Sequence, residues 1–443
     1  MNSATEEIRD IQTKRISFYT LGCKLNYAET VTFERSFIEK DFRVVDFKEE
    51  SDVVVVNTCS VTGNADRDCR KIVRQALRRS PQAFIIVVGC YAQLQPQEIS
   101  SIAGVDLVLG TSEKFHLLDY LRDLKKNDQT EVHVSCIDDI EDFGPAFSDE
   151  AGERTRAFLK VQDGCDYNCS FCTIPLARGK SRSQSVDATV GQAKKILSEG
   201  FREIVLSGVN VGDYEDEAQQ SFYDLLLALT AIDERFRLRI SSIEPNLLTD
   251  EIIDLTANSP KMCQHFHIPL QSGSNEVLRH MRRRYTAELY KERIEKIRSR
   301  MPDACIGIDV IVGHPGETEK LFEETYAMLV ELPFSYLHVF SYSERPNTHA
   351  LTIGHSVSHQ DRARRSEQLR NLSIRKRALF YRSQIGKIRE TIFEPEEQDG
   401  WMQGFTDNYV RVAVKKNEKF LGKLIPVRLM ELVDGMVEGE MEV

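Results

Sequence analysis

The first third of the chain alternates short apolar runs with charged stretches. Three runs are rich in β-branched and aromatic residues, namely ISFYTL (16–21), DVVVV (52–56) and FIIVV (84–88). Such runs are typical of parallel strands that are buried on both faces. The segment DRDCRKIVRQALRRS between the second and third runs has the composition of an exposed helix. The pattern predicts a doubly wound parallel α/β domain over residues 1–137.

The middle of the chain contains six further strand candidates with helical stretches between most of them. They are AFLKV, EIVLS, RLRIS, HFHIP, GIDVIV and YLHVF. Six βα units in series predict a partial (βα)6 barrel over residues 152–383, with its active site at the C-terminal ends of the strands. Before it, residues 138–151 carry six carboxylates and no basic residue, which is typical of a solvated acidic linker.

The last part of the chain, residues 384–443, has a different pattern. The segments TIFEP, YVRVAVK, GKLIPVRLMEL and MVEGEMEV alternate with Gly, Asn and Asp turns. This pattern predicts a small all-β barrel. The whole chain is therefore expected to be a multidomain α/β protein with a small β domain at its end.

Composition restricts the function classes. With 443 residues, 41% hydrophobic and 29% charged, the chain resembles a globular protein of two or three domains. It has no apolar run of membrane-spanning length, and its polar start, MNSATEEIRD, lacks the layout of a secretory signal. We therefore expect a cytoplasmic protein without membrane contact. The net charge of −11 argues against a general DNA-coating role, but a local basic face remains compatible with nucleic acid.

Ten cysteines in a reducing compartment indicate metal or redox chemistry rather than disulfides. Cys23, Cys59 and Cys90 each come one to three residues after one of the three N-terminal strand candidates. Because the C-terminal ends of parallel strands share one edge of a sheet, these thiols are expected to form one metal site. The alternative is that each is a small buried apolar residue.

A second set of three cysteines lies in GCDYNCSFC, just after the strand candidate AFLKV: Cys165, Cys169 and Cys172. Thiolates favour zinc, cuprous copper or iron–sulfur clusters, and structural zinc prefers four protein ligands. Three cysteines on a 4Fe-4S cube leave one iron open for a substrate or cofactor. A zinc knuckle is the alternative.

The spacing Cys-x3-Cys-x2-Cys after a barrel strand resembles the radical S-adenosylmethionine (SAM) superfamily. The resemblance implies that the open iron binds SAM and that an electron from the cluster cleaves SAM to a 5′-deoxyadenosyl radical. It also places Phe171 near the adenine of SAM.

Further motifs resemble the methylthiotransferase family over nearly the whole chain. They are TLGCKLN, VVVVNTCSVT, VVGCYAQ, GCDYNCSFCTIPLARGKSRS, LSGVNVGDY, SSIEP, HFHIPLQSGS and GIDVIVGHPGET, in which His314 stands where Phe is usual. The resemblance implies two 4Fe-4S clusters, an auxiliary cluster on the first cysteine trio and the radical cluster on the second. It also implies that the tail is a TRAM/OB-like RNA-binding barrel.

The motifs GCKLN, ARGKSRS and GVNVGDY resemble the branch that acts on N6-threonylcarbamoyladenosine. This implies methylthiolation of carbon 2 of that nucleoside at position 37 of tRNA. The implied partners are the anticodon stem-loop of tRNA, an external electron donor and a sulfur donor. The alternatives are the N6-isopentenyladenosine branch, the branch that modifies a ribosomal-protein aspartate, and a non-enzymatic zinc- and RNA-binding protein.

Polar and small residues after the barrel strands are candidates for contact with SAM or the base, the alternative being loop capping. The cofactor-binding candidates are Phe171, Gly208, Asn210, Glu244, Gln271, Ser272 and Arg182. Arg178 is a further candidate for pairing with a SAM carboxylate or an RNA phosphate. His265 and His267 are expected to be hydrogen-bonded core residues, and Asn26 and Asn57 to bond sulfur or orient loops.

A basic strip supports an RNA partner. Residues 361–390 contain eight Arg and two Lys against three acids, and a triple-arginine cluster lies at 282–284. Basic helices beside a small β-barrel suit a phosphate backbone, whereas the alternative is a solvated helix face. The RNA-binding candidates are Arg282, Arg283, Arg284, Arg362, Arg364, Arg365, Arg375, Lys376 and Arg377.

Overall fold

The computed structural model describes residues 14–59, 63–121, 124–126, 129–148, 155–398 and 400–442. The polar start at 1–10 and residues 149–151 of the expected acidic linker lie outside the described residues. The chain divides into two compact units. The first contains the described residues up to Ser148 together with Asp163–Tyr167 and Cys172–Arg182, and the second contains the remainder. Residues 163–167 and 172–182 thus group with the N-terminal sheet, which differs from the single 152–383 domain that the sequence predicts.

The first unit is built on the predicted parallel sheet. Among its described residues the strand order is β2-β1-β3-β4-β5-β6. The strands are β1 Arg15–Thr20, β2 Arg43–Val44, β3 Val53–Thr58, β4 Phe84–Gly89, β5 Leu107–Leu109 and β6 Glu131–His133. The helices are α1 Lys24–Ile38, α2 Gly63–Arg79, α3 Cys90–Leu94, α4 Pro96–Ser100 and α5 Ile174–Arg178, with 3₁₀ turns at Glu113–Tyr120 and Ile137–Asp139.

Alternate residues of the central strands form two separate cores. In β3, Val54 and Val56 pack with the apolar face of α2, whereas Val53 and Val55 pack with Phe33 and others on the opposite face. This is the period-2 alternation of a strand covered on both sides. It explains why these strands appear in the sequence as continuous apolar runs.

The second unit contains the partial barrel. Its parallel strands form two three-stranded sheets, β7-β10-β11 and β12-β13-β14, joined by isolated bridges between β11 and β12. The strands are β7 Arg156–Lys160, β10 Glu203–Ser207, β11 Arg237–Ile240, β12 His265–His267, β13 Cys305–Val312 and β14 Tyr336–Ser341. Two short strands, β8 Gln162–Asp163 and β9 Arg182–Ser183, each have one residue in each unit.

Helices alternate with these strands, as the six βα units predict. They are α6 Val186–Ser198, α7 Phe222–Thr230, α8 Asp250–Asn258, α9 Asn275–His280, α10 Ala287–Arg300, α11 Glu319–Glu331 and α12 His359–Gln384, with 3₁₀ turns at Val211–Asp213, His349–Thr352 and Glu418–Phe420. Side-chain N-caps begin most of them, for example Ser185 and Thr249. Among the described residues, the search for a helix long and apolar enough to cross a bilayer finds no candidate.

The chain ends in a closed five-stranded barrel, which confirms the predicted all-β domain. Its strands are β15 Ile388–Gln398, β16 Trp401–Thr406, β17 Arg411–Lys415, β18 Leu424–Val433 and β19 Met436–Met441. The sequence pattern missed β16. Within that strand, a Cβ on Gly404 would lie 2.2 Å from the Ile392 carbonyl oxygen, so glycine allows β15 to approach closely.

The C-terminal barrel packs on the second unit's parallel strands through buried arginines. Arg237 donates to the carbonyl of Phe405 at 2.8 Å, and Arg239 donates to the carbonyl of Thr406 at 3.1 Å. Glu203 holds both guanidinium groups, at 2.5 Å and 2.8 Å from their Nε atoms. All three side chains are almost fully buried. The turn after β16 is therefore fixed to β10 and β11 by charge as well as by packing.

Candidate metal centres

Strand register brings the first cysteine trio to one edge of the sheet. Thr58 of β3 pairs with Gly89 of β4, and the next residues along the chain are Cys59 and Cys90. Thr20 of β1 pairs with Asn57 of β3. Cys23 follows three residues after Thr20 and immediately precedes α1. The predicted convergence of the three strand ends is thus present in the first unit.

The loop before Cys23 lies against Cys59. A Cβ on Gly22 would lie 2.5 Å from Cys59 Cβ and 2.9 Å from Cys59 Sγ, so this position leaves space beside the sulfur only because it is glycine. Gly22 also has a φ of 104°, which L side chains rarely adopt. Asn26 ties the two loops together, since its Nδ2 donates to the carbonyls of Leu21 at 2.8 Å and Thr58 at 2.9 Å.

A buried arginine connects the other two cysteines. The Nε of Arg178 donates to Cys90 Sγ at 3.3 Å, and its Nη2 donates to Asn26 Oδ1 at 2.7 Å. Cys23 Sγ lies 3.7 Å from the same Asn26 oxygen. Asn57 holds Asn26 in place, because its Nδ2 donates to the Asn26 carbonyl at 2.9 Å. Cys23 and Cys90 therefore belong to one hydrogen-bonded cluster.

Two carboxylates hold the Arg178 guanidinium in place. Its Nη1 lies 2.9 Å from Glu29 Oε1 and 2.9 Å from Asp163 Oδ1, and Lys114 Nζ lies 2.7 Å from Glu29 Oε2. These four side chains are at most 1% exposed. Desolvation lowers the pKa of Arg178, but Asp163, Cys90 and Glu29 outweigh it and raise that pKa well above its usual value. Arg178 is thus a permanent cation beside the Cys90 sulfur, not a surface group available to phosphate.

The first trio fits an iron–sulfur cluster. Cys59 and Cys90 are buried at 7% and 3% exposure, whereas Cys23 is exposed. Three thiols at one sheet edge, with an N–H donor at the Cys90 sulfur and a glycine that leaves space at the Cys59 sulfur, are the donor set of a cluster held by three cysteines.

The second trio also has N–H donors at its sulfurs. In the first unit, the backbone N–H of Tyr167 donates to Cys165 Sγ and that of Ile174 donates to Cys172 Sγ, both at 3.4 Å. In the second unit, Arg283 Nη1 donates to Cys169 Sγ at 3.0 Å. Hydrogen bonds to sulfur are a usual feature of cluster ligands, so each of these sulfurs, within its own unit, has surroundings that fit such a ligand.

Arg283 is held inside the second unit. Its side chain is 4% exposed, it pairs with Glu244, and its Nε donates to Tyr285 Oη at 3.1 Å. Desolvation raises the pKa of Glu244 above its ordinary value, although Arg283 opposes that shift. From the sequence, Arg283 is expected to bind RNA and Glu244 to contact SAM. The structure instead turns Arg283 toward Cys169 and pairs it with Glu244, and SAM contact by Glu244 stays a prediction.

Two family models match this chain, one in its N-terminal part and one in its middle part. A model described as the radical SAM superfamily matches residues 159–329, and one described as uncharacterized protein family UPF0004 matches residues 15–110. The threonylcarbamoyladenosine tRNA methylthiotransferase MtaB of Bacillus subtilis (strain 168) is 40% identical over 435 residues, covering 96% of this chain and 96% of the relative. The chain belongs to the radical SAM methylthiotransferase family.

Other relatives define the breadth of the family. The tRNA-2-methylthio-N(6)-dimethylallyladenosine synthase of Methylacidiphilum infernorum (isolate V4) is 31% identical over 430 residues, covering 93% of this chain and 91% of the relative. The solved structure of the radical SAM methyltransferase TsrM from Kitasatospora setae matches with a TM-score of 0.56 at 15% identity, covering 76% of this chain and 77% of that one. The latter likeness confirms the fold. Membership of the radical SAM superfamily implies a 4Fe-4S cluster and SAM as cofactors.

Two of the predicted cofactor-binding residues, both at strand ends of the second unit, have buried polar atoms without a hydrogen-bond partner among the described residues. These atoms are Asn210 Nδ2 and Oδ1, after β10, and Gln271 Oε1, after β12. Burying such groups unpaired is costly, so they are well suited to bond a ligand. Gln271 also has a φ of 66°, a strained conformation that is common at functional sites.

Other predicted cofactor residues have mainly structural contacts. A Cβ on Gly208 would lie 2.9 Å from Gln162 Oε1, and Ser272 Oγ lies 3.1 Å from Thr325 Oγ1. Arg182, in the first unit, donates through Nη1 to the carbonyl of Arg178 at 2.8 Å. Gly208 and Ser272 thus contribute to the loops that carry Asn210 and Gln271.

Phe171 lies against His314 in the second unit, with ring centroids 6.2 Å apart. His314 Nε2 is 3.0 Å from Ser170 Oγ. Burial lowers the pKa of His314 to about 4, so its ring is neutral at physiological pH. A neutral histidine is compatible with this buried position because its ring nitrogen has a hydroxyl partner.

His265 and His267 are hydrogen-bonded inside the second unit, as expected. His265 Nε2 lies 3.0 Å from Tyr336 Oη, and His267 Nε2 lies 2.8 Å from Asp309 Oδ1. His338 completes a His–Asp–His group whose ligand atoms lie within 4.8 Å of one another. The sequence pattern does not single out Asp309 or His338, because each is a polar residue within an apolar strand.

The predicted RNA-binding residues other than Arg283 divide into three sets. Arg362 and Arg365 are buried and pair with Glu344 at 2.7 Å and Glu317 at 2.5 Å. Partly exposed are Arg364, which pairs with Glu319, and Lys376, which donates to the carbonyls of Val330 and Leu332. The exposed set consists of Arg282, Arg284, Arg375 and Arg377. This exposed set forms the candidate RNA surface.

Proposed function

We propose that the protein methylthiolates carbon 2 of N6-threonylcarbamoyladenosine at position 37 of tRNA. The observation that carries the proposal is the gathering of Cys23, Cys59 and Cys90 at one sheet edge of a radical SAM protein. Radical SAM chemistry alone needs one cysteine trio, so a second trio indicates an additional cluster. The name of the Bacillus subtilis relative supports the choice of substrate.

In this proposal each trio holds one 4Fe-4S cluster, the first auxiliary and the second SAM-binding. When bound, the two clusters and SAM would supply the sulfur, the methyl group and the hydrogen-abstracting species. The protein's own groups hold and orient these cofactors. Asn210 and Gln271 would bond SAM or the base through their buried polar atoms, and Phe171 would pack on the adenine of SAM.

The two clusters have a direct chemical test. Anaerobically reconstituted protein should contain about eight irons and eight sulfides per chain, because each cube contributes four of each. Replacing Cys59 with Ala should leave about four irons, and so should replacing Cys169 with Ala. Two zinc ions per chain in place of iron would contradict the proposal and favour a zinc-binding protein.

The substrate is tested by mass spectrometry of digested tRNA after anaerobic turnover with SAM, reductant and sulfide. A gain of the mass of a methylthio group in place of hydrogen on N6-threonylcarbamoyladenosine is the expected result. The same gain on N6-isopentenyladenosine instead would assign the protein to the branch of the Methylacidiphilum relative. Modification of a ribosomal-protein aspartate with no change in tRNA would refute both assignments.

We propose that the tRNA contacts the exposed arginines of α12 and of the segment before α10. Arg375 and Arg377 are exposed on α12, and Arg282 and Arg284 are exposed before α10. Each phosphate contact contributes to the slope of log affinity against log salt. The variant R375A/R377A should therefore make that negative slope shallower by about 1 to 2, measured by fluorescence anisotropy with an anticodon stem-loop. An unchanged slope would remove α12 from the RNA surface.

The reaction also requires an electron donor and a sulfur donor, which we propose to be external proteins or small molecules. We propose the cytoplasm as the site of action, since the substrate is tRNA.

A further inference from the structure

Each cysteine trio has one sulfur that receives a hydrogen bond from a buried arginine. In the first unit Arg178 donates to Cys90, and in the second unit Arg283 donates to Cys169. Each guanidinium is also held by a carboxylate, the fully buried Glu29 in the first unit and the partly buried Glu244 in the second. The first of these arrangements is the more complete, because several donors of Arg178 have identified acceptors at 2.7–3.4 Å.

The fully buried charges around Arg178 cancel, and a third cation, the partly buried Arg182, lies 3.9 Å from Asp163 Oδ2. Two cations, Arg178 and Lys114, face two anions, Glu29 and Asp163, and all four side chains are buried. Of these four, Arg178 is the group with a bond to a cysteine sulfur. Within this buried set, a change of one charge is therefore not compensated by a neighbour, and water cannot screen it.

A cation beside a cluster ligand favours the cluster state with the greater negative charge. Reduction adds one electron, so a buried guanidinium at Cys90 would make reduction easier, and a carboxylate nearby would oppose it. Hydrogen bonds to the sulfurs and net charge are established means of setting the potential of an iron–sulfur cluster. The Arg178 geometry combines both.

We propose, building on the two-cluster function above, that Arg178 sets the reduction potential of the auxiliary cluster through its bond to Cys90, and that Glu29 counteracts it. Arg178 is a positioning residue in this account. Glu29 and Asp163 fix the direction of its guanidinium, and Asn26 extends the same network to Cys23.

The test is potentiometry followed by electron paramagnetic resonance on the full chain with Cys165, Cys169 and Cys172 replaced by Ala. This background leaves the auxiliary cluster as the one signal. Arg178→Gln should make the cluster about tenfold harder to reduce at a given potential, a downward shift of about 59 mV for one electron. Glu29→Gln should shift the potential in the opposite direction, because it removes an anion and keeps the cation.

The matched control is Arg35→Gln, which makes the same charge change on α1, where the described bond of Arg35 runs to the carbonyl of Phe147. Its potential should equal that of the parent. Arg178→Lys keeps the charge but not the planar fork, so it should recover part of the shift if charge dominates. General damage to the fold would not give opposite signs for Arg178→Gln and Glu29→Gln.

Two outcomes would overturn the inference, and both differ from failure of the proposed function. An unchanged potential in Arg178→Gln protein with about four irons per chain would reduce Arg178 to a structural link. Shifts of the same sign in Arg178→Gln and Glu29→Gln would also refute the inference. If the Arg178→Gln protein does not bind iron, the Glu29→Gln protein decides by itself: a potential that does not rise refutes the inference. If instead the parent background binds no iron at all, the two-cluster function itself fails.

Discussion

Gly22 offers a sharp test of the proposed auxiliary site, since it directly precedes Cys23 and lies against the Cys59 side chain. The substitution Gly22→Ala introduces two separable costs. The first is backbone strain, because a φ of 104° costs an L residue about 1–2 kcal/mol. The second is steric, because the new Cβ would lie 2.5 Å from Cys59 Cβ and 2.9 Å from its Sγ, well inside the ordinary contact of about 3.5–4.0 Å between carbon atoms.

The steric cost falls on Cys59, a ligand of the proposed auxiliary cluster. Relief requires Cys59 to move by about 1 Å, because that is the difference between 2.5 Å and ordinary contact. Cluster ligands tolerate only a few tenths of an ångström, so we expect Gly22→Ala to lose the auxiliary cluster. Iron and sulfide analysis after anaerobic reconstitution should give about four irons per chain instead of about eight.

Gly200 supplies the matched control. It has a φ of 100°, yet a Cβ there would meet nothing within 4 Å. Gly200→Ala therefore carries the strain without the collision, and it should keep about eight irons. If Gly22→Ala also retains about eight irons, Gly22 and Cys59 do not border a cluster and the assignment of the first trio is wrong.

Two further predictions concern stability, measured on cluster-free protein by urea unfolding and followed by the fluorescence of the single tryptophan, Trp401. Glu203→Gln should destabilise the fold by about 3–5 kcal/mol, because it leaves Arg237 and Arg239 buried beside a neutral group. The control is the exposed Glu217, whose substitution Glu217→Gln should change stability by less than about 0.5 kcal/mol. Equal effects of the two substitutions would contradict the account. The folded pKa of His314, about 4, lies below its unfolded value, so stability should fall by about 2 kcal/mol from about pH 7 to about pH 5 as the unfolded chain gains a proton. His314→Phe should remove that part of the pH dependence, and an unchanged slope would show that His314 does not cause it.

The sequence predicted the strands that position the first trio because they are apolar on both faces. The runs at 16–21, 52–56 and 84–88 correspond to β1, β3 and β4 within about two residues. It missed β16, where the interior Gly404 and the mixed composition of WMQGFT hide the alternation. It also missed the three-residue strands β5 and β6, which are too short to show a period.

Partners that come from distant segments could not be predicted. Arg178 was expected to meet SAM or RNA, because ARGKSRS gives no sign of a buried acceptor. Its acceptors Asn26 and Glu29 lie on α1, about 150 residues earlier, and their only local signal is the presence of polar residues on the covered face of that helix. Arg283 was likewise grouped with its neighbours Arg282 and Arg284, although it alone is turned inward.

The attachment of the C-terminal barrel bears on how RNA binding can be studied by deletion. Cutting the chain after α12 would take away the carbonyl acceptors of Arg237 and Arg239, and it would uncover His265, whose ring lies 4.4 Å from that of Tyr409. Two guanidinium groups and a histidine would then face water at the starts of β11 and β12. Loss of activity in a truncated chain would therefore report damage to the catalytic barrel as much as a missing RNA contact, and point substitutions on the outer surface of the small barrel are the cleaner experiment.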